Sequence, residues 1–351
     1  MRVNLSKSDR SFDVAPGESL LDAALEAGVN VPHGCLGGNC GACRARLIAG
    51  EVSYPNGAPL GLSASEVADG LILLCQARAR GDVAIETFAA LTPDQIKVKR
   101  LPCRVERSER LAHDVMGLYL RLPAAERFDF KPGQYLDILL PKGRRRSFSI
   151  ASPPHDSRLL ELHVRRAPGG EFTEQVFSEG IRGALLTIEG PLGDFVYRET
   201  PPGAGRGDPL LLIGGGTGLA PLKSIVRHVV ENGLPREMTL YWGVRSERDL
   251  YAHADLQEIA RRDPRLRYVP VLSQASAAWT GYKGLVHERV LDTVSGLERY
   301  ETYASGPPQM IEAVRREFHL RGVDGARLRF DSFDYAPDSA ARQRTRADTS
   351  S

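Results

Sequence analysis

His33-Gly34-Cys35-Leu36-Gly37-Gly38-Asn39-Cys40-Gly41-Ala42-Cys43-Arg44 sets three cysteines at the spacing C-x4-C-x2-C, and thirty-one residues then separate Cys43 from Cys75. Four glycines, Gly34, Gly37, Gly38 and Gly41, lie within the same stretch. A disulfide framework is not expected of a cytoplasmic chain of 351 residues. A structural zinc site would pair the C-x2-C with a second close pair, and Cys75 stands alone. The fifth cysteine, Cys103, reads as a packing thiol in a strand.

Residues 1–92 read as a small domain, with a hairpin over 3–14, a helix over 19–27 and strands over 44–48 and 82–87. The pattern breaks between 92 and 100. Short strand-like runs then recur at 117–122, 135–140, 147–151, 159–164 and 185–189, which predicts an antiparallel barrel or sandwich over 100–199. A Pro/Gly-rich linker at 200–208 precedes a different rhythm. Strands at 209–213, 238–244, 268–272, 302–304 and 326–330 alternate with helices at 219–232, 254–261 and 309–320. That alternation predicts a parallel-sheet α/β domain over 209–335. Residues 336–351 read as a disordered tail.

Composition narrows the function. The hydrophobic share is 42% and the charged share 26%, with a net charge of +2. Such a chain builds cores and lacks the basic surplus of a dedicated nucleic-acid binder. No apolar run reaches membrane-spanning length, and the N-terminus carries no signal-peptide pattern, so a cytoplasmic location is expected. Glycine is in excess, 35 residues where average usage gives about 25. Ten of them fall in three loops: the cysteine loop, Gly169-Gly170, and Gly214, Gly215, Gly216 and Gly218. Glycine serves where backbone turns tightly or approaches another group closely, so three loops suggest three bound groups.

The cysteine spacing resembles that of plant-type [2Fe–2S] ferredoxins, which implies a ferredoxin-like β-grasp domain with Cys35, Cys40, Cys43 and Cys75 as cluster ligands. Arg146-Ser147-Phe148-Ser149 resembles the R-x-Y-S motif of the ferredoxin–NADP reductase superfamily, with Phe148 in the tyrosine's place. The resemblance implies that Arg146 meets a flavin pyrophosphate, Phe148 stacks, and Ser149 reaches the flavin N5 edge. His163, Val164 and Arg165 would line the flavin along a strand. Gly169, Gly170 and the Thr173 hydroxyl would meet phosphate at a helix start. FAD, rather than FMN, is implied by the N-terminal position of the ferredoxin domain.

Gly214-Gly215-Gly216-Thr217-Gly218-Leu219-Ala220-Pro221 follows a strand and opens a helix, which suits pyrophosphate binding. It also resembles the pyridine-nucleotide signature of the same superfamily, implying contacts from Gly215, Gly216, Thr217 and Gly218. Arg245 and Arg248 could meet a 2′-phosphate, and Glu247 or Asp249 a 2′-hydroxyl, so NADH and NADPH both stay open. Ser305-Gly306-Pro307-Pro308 resembles the family's C-G-P-P, with Ser305 for the cysteine beside the nicotinamide. Phe333 stands where the family has a terminal flavin-shielding aromatic.

The combination implies an electron-transfer reductase. A nicotinamide gives two electrons as hydride, a [2Fe–2S] cluster takes one, and a flavin handles both. The expected acceptor is a redox partner protein, either a sugar dehydrase, as for CDP-6-deoxy-Δ3,4-glucoseen reductases, or the oxygenase component of a Rieske or di-iron system. A non-catalytic docking module is the alternative of another class; the retained cysteines, Arg146 and Ser149 argue against it.

Overall fold

The computed structural model describes the chain except residues 7–9, 30, 32, 34–36, 39–40, 42, 60, 63, 88–97, 168, 179–180, 201–204 and 334–351. Cys35, Cys40 and the expected tail therefore lie outside the described residues, as does part of the expected linker. Two compact units form: Met1–Gln95 with Gly193–Phe195 and Phe330–Ser332, and the remainder.

In the first unit, β1 (Arg2–Leu5) and β2 (Ser11–Asp13) make the expected hairpin. Helix α1 (Leu20–Glu26) begins at Ser19, whose Oγ accepts the Asp22 N–H at 3.0 Å, a side-chain N-cap. Strand β3 (Arg44–Ala49), β4 (Val52–Ser53), helix α2 (Ala64–Ala68), β5 (Leu71–Leu73), β6 (Arg78–Ala79) and β7 (Val83–Thr87) follow. The main sheet has the order β2-β1-β7-β3-β5, with β1 and β7 parallel and the other pairs antiparallel. Leu20, Leu21 and Ala24 of α1 lie in one core with Val3, Ala45, Leu73 and Ile85.

The second unit opens with β8 (Lys99–Arg110), β9 (Val115–Arg121), β10 (Tyr135–Leu139), β11 (Arg145–Ser149), β12 (Leu159–Arg165), the short helix α3 (Glu171–Val176) and β13 (Leu185–Leu192). These strands make one antiparallel sheet in the order β11-β10-β13-β8-β9-β12. An Ile150–Leu162 bridge joins its two edges, closing the barrel that the sequence leads one to expect. Leu160, Leu162 and Val164 of β12 are fully buried in its core, and β8 adds Leu101, Cys103 and Val105. Burial pushes the Cys103 thiol up to about 12, so it stays protonated, as a packing residue does.

The rest of this unit is α/β: β14 (Leu210–Gly215), α4 (Leu219–Glu231), β15 (Met238–Val244), α5 (His253–Arg262), β16 (Leu266–Leu272), β17 (Tyr282–Lys283), α6 (Val286–Thr293), β18 (Glu301–Gly306), α7 (Pro308–Leu320) and the start of β19 (Leu328–Ser332), whose last three residues group with the first unit. The sheet order is β17-β16-β15-β14-β18-β19, with β14 to β18 parallel where they pair. Strand β14 is buried along its whole length, as its unbroken apolar run requires of a central parallel strand. Among the described residues no helix is long and apolar enough to cross a membrane.

Leu162 is fully buried and Leu185 is 78% exposed on the same barrel. Leu162→Ala is expected to destabilise the barrel by about 2–5 kcal/mol, and Leu185→Ala by no more than about 0.5 kcal/mol. Thermal unfolding of the two variants checks the contrast.

Candidate cofactor sites

The cysteine site depends on one strand pair. β3 and β5 run antiparallel with Arg44 opposite Leu73, so Cys43, before β3, and Cys75, after β5, fall side by side. The Leu74 N–H donates to Cys43 O at 3.0 Å, and the Cys75 N–H donates to Cys43 Sγ at 3.5 Å. Backbone N–H aimed at sulfur is the environment a thiolate-held anionic cluster needs. Gly38 and Gly41 have φ of +78° and +76°, and a Cβ on either would sit under 3 Å from Gln76 or Arg44 side-chain atoms. A Cβ on Gly61 would lie 2.7 Å from Gly38 O. Glycine is the residue suited to the positive φ of Gly38 and Gly41. Both described thiols are buried and unbridged, and they fit a cluster.

On the barrel, the three adjacent arginines separate by partner. Arg144 pairs with Glu171 at 2.7 Å, and Arg145 pairs with Glu189 and, at 3.5 Å, with Asp137. Arg146 Nη1 donates to Arg145 O at 2.8 Å. Phe148 sits half-buried, its ring 5.8 Å from that of Phe172, and Ser149 ends the strand. An arginine and an aromatic two residues apart share one strand face, the arrangement a flavin pyrophosphate and ring would use.

In the flavin loops, one expectation needs correction, that for the Thr173 hydroxyl. Successive strand residues face opposite ways, so the side chains of His163, Val164 and Arg165 divide between the two faces of β12. Val164 points into the barrel core, while the His163 ring is bonded to Glu161 and Tyr251 and Arg165 to Asp114. The Thr173 hydroxyl does not face outward either. Its single O–H stays within its loop, with Ala167 O at 3.1 Å and Gly170 O at 3.0 Å in reach, and its oxygen accepts from the Ala167 N–H. Gly169, at φ +74°, and Gly170 shape this turn, and α3 beyond it has only six residues.

The nucleotide cradle lies where the sheet order reverses. From β14 the chain moves outward through β15 and β16, then returns to β18 on the other side of β14. The C-terminal ends of β14 and β18 flank that switch point, where parallel α/β sheets take ligands. Both ends are glycine, and their backbones touch. A Cβ on Gly306 would lie 3.1 Å from Gly215 Cα, and one on Gly218 only 2.0 Å from Ser305 O. A Cβ on Gly215 would meet Pro307 Cδ at 2.9 Å. Thr217 lies in the 3₁₀ turn that leads into α4, whose N-terminus opens at this point. Ser305 is fully buried, and the Phe333 N–H donates to Gly306 O at 3.2 Å. Close backbone approach at a helix start fits a pyrophosphate.

Beyond β15, the carboxylates considered for a ribose 2′-hydroxyl are already engaged. Glu247 accepts the Ser276 N–H at 3.0 Å and its hydroxyl at 2.5 Å, and Asp249 caps Ser246. Those hydrogen bonds hold Glu247 below its ordinary range. Arg245 and Arg248 are exposed, and among the described residues their guanidinium groups make no hydrogen bond or ion pair.

Three family models cover the chain in the same order: the 2Fe-2S iron-sulfur cluster binding domain over 3–80, the oxidoreductase FAD-binding domain over 102–197 and the oxidoreductase NAD-binding domain over 212–316. The chain belongs to the three-domain ferredoxin–FAD–NAD(P)H reductases of the ferredoxin–NADP reductase superfamily. It is 36% identical over 334 residues to Protein RfbI of Salmonella typhimurium, covering 94% of this chain and 96% of that one. It is 34% identical over 333 residues to the CDP-6-deoxy-L-threo-D-glycero-4-hexulose-3-dehydrase reductase of Yersinia pestis, covering 95% and 98%. The crystal structure of the Amycolatopsis cytochrome P450 reductase GcoB superposes with a TM-score of 0.74 at 36% identity, covering 95% of this chain and 99% of that one. The protein is an oxidoreductase that passes electrons from NAD(P)H through FAD and a [2Fe–2S] cluster to a partner enzyme.

Gly218→Ala drives a methyl into the Ser305–Gly306 backbone and must displace the cradle. A displacement near 1 Å at a reacting pair costs about 100-fold in rate. Stopped-flow flavin reduction by NADH is expected to slow by about that factor, while dithionite reduces the bound flavin and cluster as in the parent.

Proposed function

We propose that the electron acceptor is a sugar-nucleotide dehydrase, and that the chain works as the reductase of a deoxysugar-forming pair in the cytoplasm. The observation that carries this reading is the end-to-end likeness, over 95% of this chain, to a hexulose dehydrase reductase. A second reading, that the acceptor is a hydroxylating oxygenase, is favoured by the equally complete likeness to a cytochrome P450 reductase.

The site residues take these roles in the proposal. Cys35, Cys40, Cys43 and Cys75 hold the cluster. Arg146 pairs with the flavin pyrophosphate, Phe148 stacks, and Ser149 hydrogen-bonds at the flavin N5 edge. Backbone groups of Gly215, Gly216, Thr217 and Gly218 hold the nucleotide pyrophosphate, with Arg245 at the ribose end. Gly306 and Pro307 shape the nicotinamide turn, with Ser305 beside it and Phe333 covering the flavin. Bound flavin supplies the change from two-electron to one-electron transfer; the chain orients the reactants and excludes water between them.

Arg146→Ala leaves a buried pyrophosphate without its bidentate partner, a loss of about 2–5 kcal/mol, or roughly 30- to 4,000-fold in flavin affinity. It is expected to purify largely flavin-free with its iron retained, whereas Arg144→Ala keeps its flavin. Arg145→Ala also keeps its flavin, since Arg145 pairs with Glu189 and Asp137 and Asp137 retains the Ser147 hydroxyl at 2.6 Å. Flavin-to-iron ratios across the three variants decide.

The acceptor is tested by reconstitution. The parent protein with NADH should sustain turnover of a purified CDP-hexulose dehydrase, and turnover of an oxygenase alone would favour the second reading. In Cys75→Ser, ferricyanide reduction should persist, because flavin serves that acceptor directly, while cytochrome c and dehydrase turnover fall sharply. Equal loss in a folded variant would mean that the cluster is not downstream of the flavin.

A further inference from the structure

Three polar residues stand on the outer face of β12, Glu161, His163 and Arg165, alternating with core residues. Glu161 and His163 are buried all the same, because the nucleotide-binding half covers them. His163 Nε2 lies 3.0 Å from Glu161 Oε1, and His163 Nδ1 lies 3.0 Å from Tyr251 Oη. A carboxylate only accepts, so Nε2 carries the imidazole proton, Nδ1 is bare, and the Tyr251 hydroxyl donates to it. Lys223, on α4, donates to the same Glu161 oxygen at 2.7 Å and balances its charge. Burial opposes ionisation of Glu161, but His163 and Lys223 outweigh it and hold the group below the ordinary carboxylate range. Burial pushes His163 down, so the ring stays neutral and its donor–acceptor polarity is fixed.

The seam continues into the glycine loop. The Tyr251 ring meets Trp242 edge-on at 5.1 Å, and Trp242 Nε1 donates to Gly216 O at 2.9 Å. Gly216 has φ +56°, and a Cβ there would lie 2.8 Å from Arg165 Nη1. Arg165 is held in turn by Asp114 at 2.9 Å. Gly216 is thus gripped on its carbonyl by Trp242 and over its Cα by Arg165.

We propose that Tyr251 is a positioning residue: through His163 and Trp242 it fixes the nucleotide-binding glycine loop against the barrel strand β12. The proposal rests on the reading of residues 214–218 as the nucleotide loop. Its function is register, since a loop that shifts against β12 shifts whatever it holds against whatever the barrel holds.

The test uses holoprotein carrying Tyr251→Phe, which removes one hydroxyl and keeps the ring. Amide hydrogen exchange over residues 214–219, measured without nucleotide, is expected to quicken by about tenfold, the worth of one buried hydrogen bond. NADH-driven flavin reduction should slow by a similar factor, with NADH affinity changed less and with parent flavin content and cluster spectrum. His163→Gln, whose amide donates to Glu161 and accepts from Tyr251, should restore most of the rate that His163→Leu loses. Parent exchange in Tyr251→Phe overturns the proposal, as does a His163→Gln variant as slow as His163→Leu. Quickened exchange with an unchanged reduction rate would uphold the grip on the loop and overturn instead the reading of that loop as the nucleotide site.

Discussion

The alternation of β12 is the constraint on which the flavin–nucleotide half depends. A strand turns successive side chains to opposite faces, and this one uses both faces fully. Leu160, Leu162 and Val164 fill the barrel, and the same strand closes the barrel through the Leu162–Ile150 bridge. Its other face sends Glu161 to Lys223, His163 to Tyr251 and Arg165 over Gly216. One strand thereby completes the flavin-type domain and fastens the dinucleotide-type domain to it.

The parallel sheet supplies the second fixed element. Because the chain reverses direction across β14, two glycine-ended strands open side by side, and the 3₁₀ turn before α4 starts directly above them. The cradle is a packing fact before it is a binding fact. Gly215, Gly218 and Gly306 are required by one another, since a side chain on any of them would strike the opposite backbone or the side chains beside it. Rigid backbone at that spot suits a dinucleotide that must present its reactive end in one orientation. In the first unit the same logic recurs in smaller form, with an antiparallel pair bringing Cys43 and Cys75 together and glycines at the tight positions 38, 41 and 61.

Much of this was legible in the sequence, because it depends on local patterns. The first three cysteines, the apolar run of β14 and the glycine turn before α4 each carry their signal within a dozen residues. Helix α6 was not legible: its buried positions are only Val286 and Val290, too few to set a period. β8 was legible only at Cys103, because Pro102 interrupts the strand, although Leu101, Cys103 and Val105 alternate inward. The side-chain partners were the least visible. Thr173, Glu247 and Asp249 had the right chemistry to face a ligand and instead bond their own loops, a choice set by backbone geometry. His163 and Tyr251 are 88 residues apart, so no window contains both. The one available signal was the polar alternation of Glu161, His163 and Arg165 on a strand otherwise built of leucine and valine.

Electron order is the central claim, since the three domains make sense together only if the flavin stands between hydride and single-electron transfer. Anaerobic rapid mixing of the full chain with one equivalent of NADH, followed at separate flavin and iron–sulfur wavelengths, tests it most directly. Flavin bleaching should come first and depend on NADH concentration, with cluster reduction following at a rate that does not. Cluster reduction that precedes flavin bleaching, or proceeds in protein stripped of its flavin, would contradict the account.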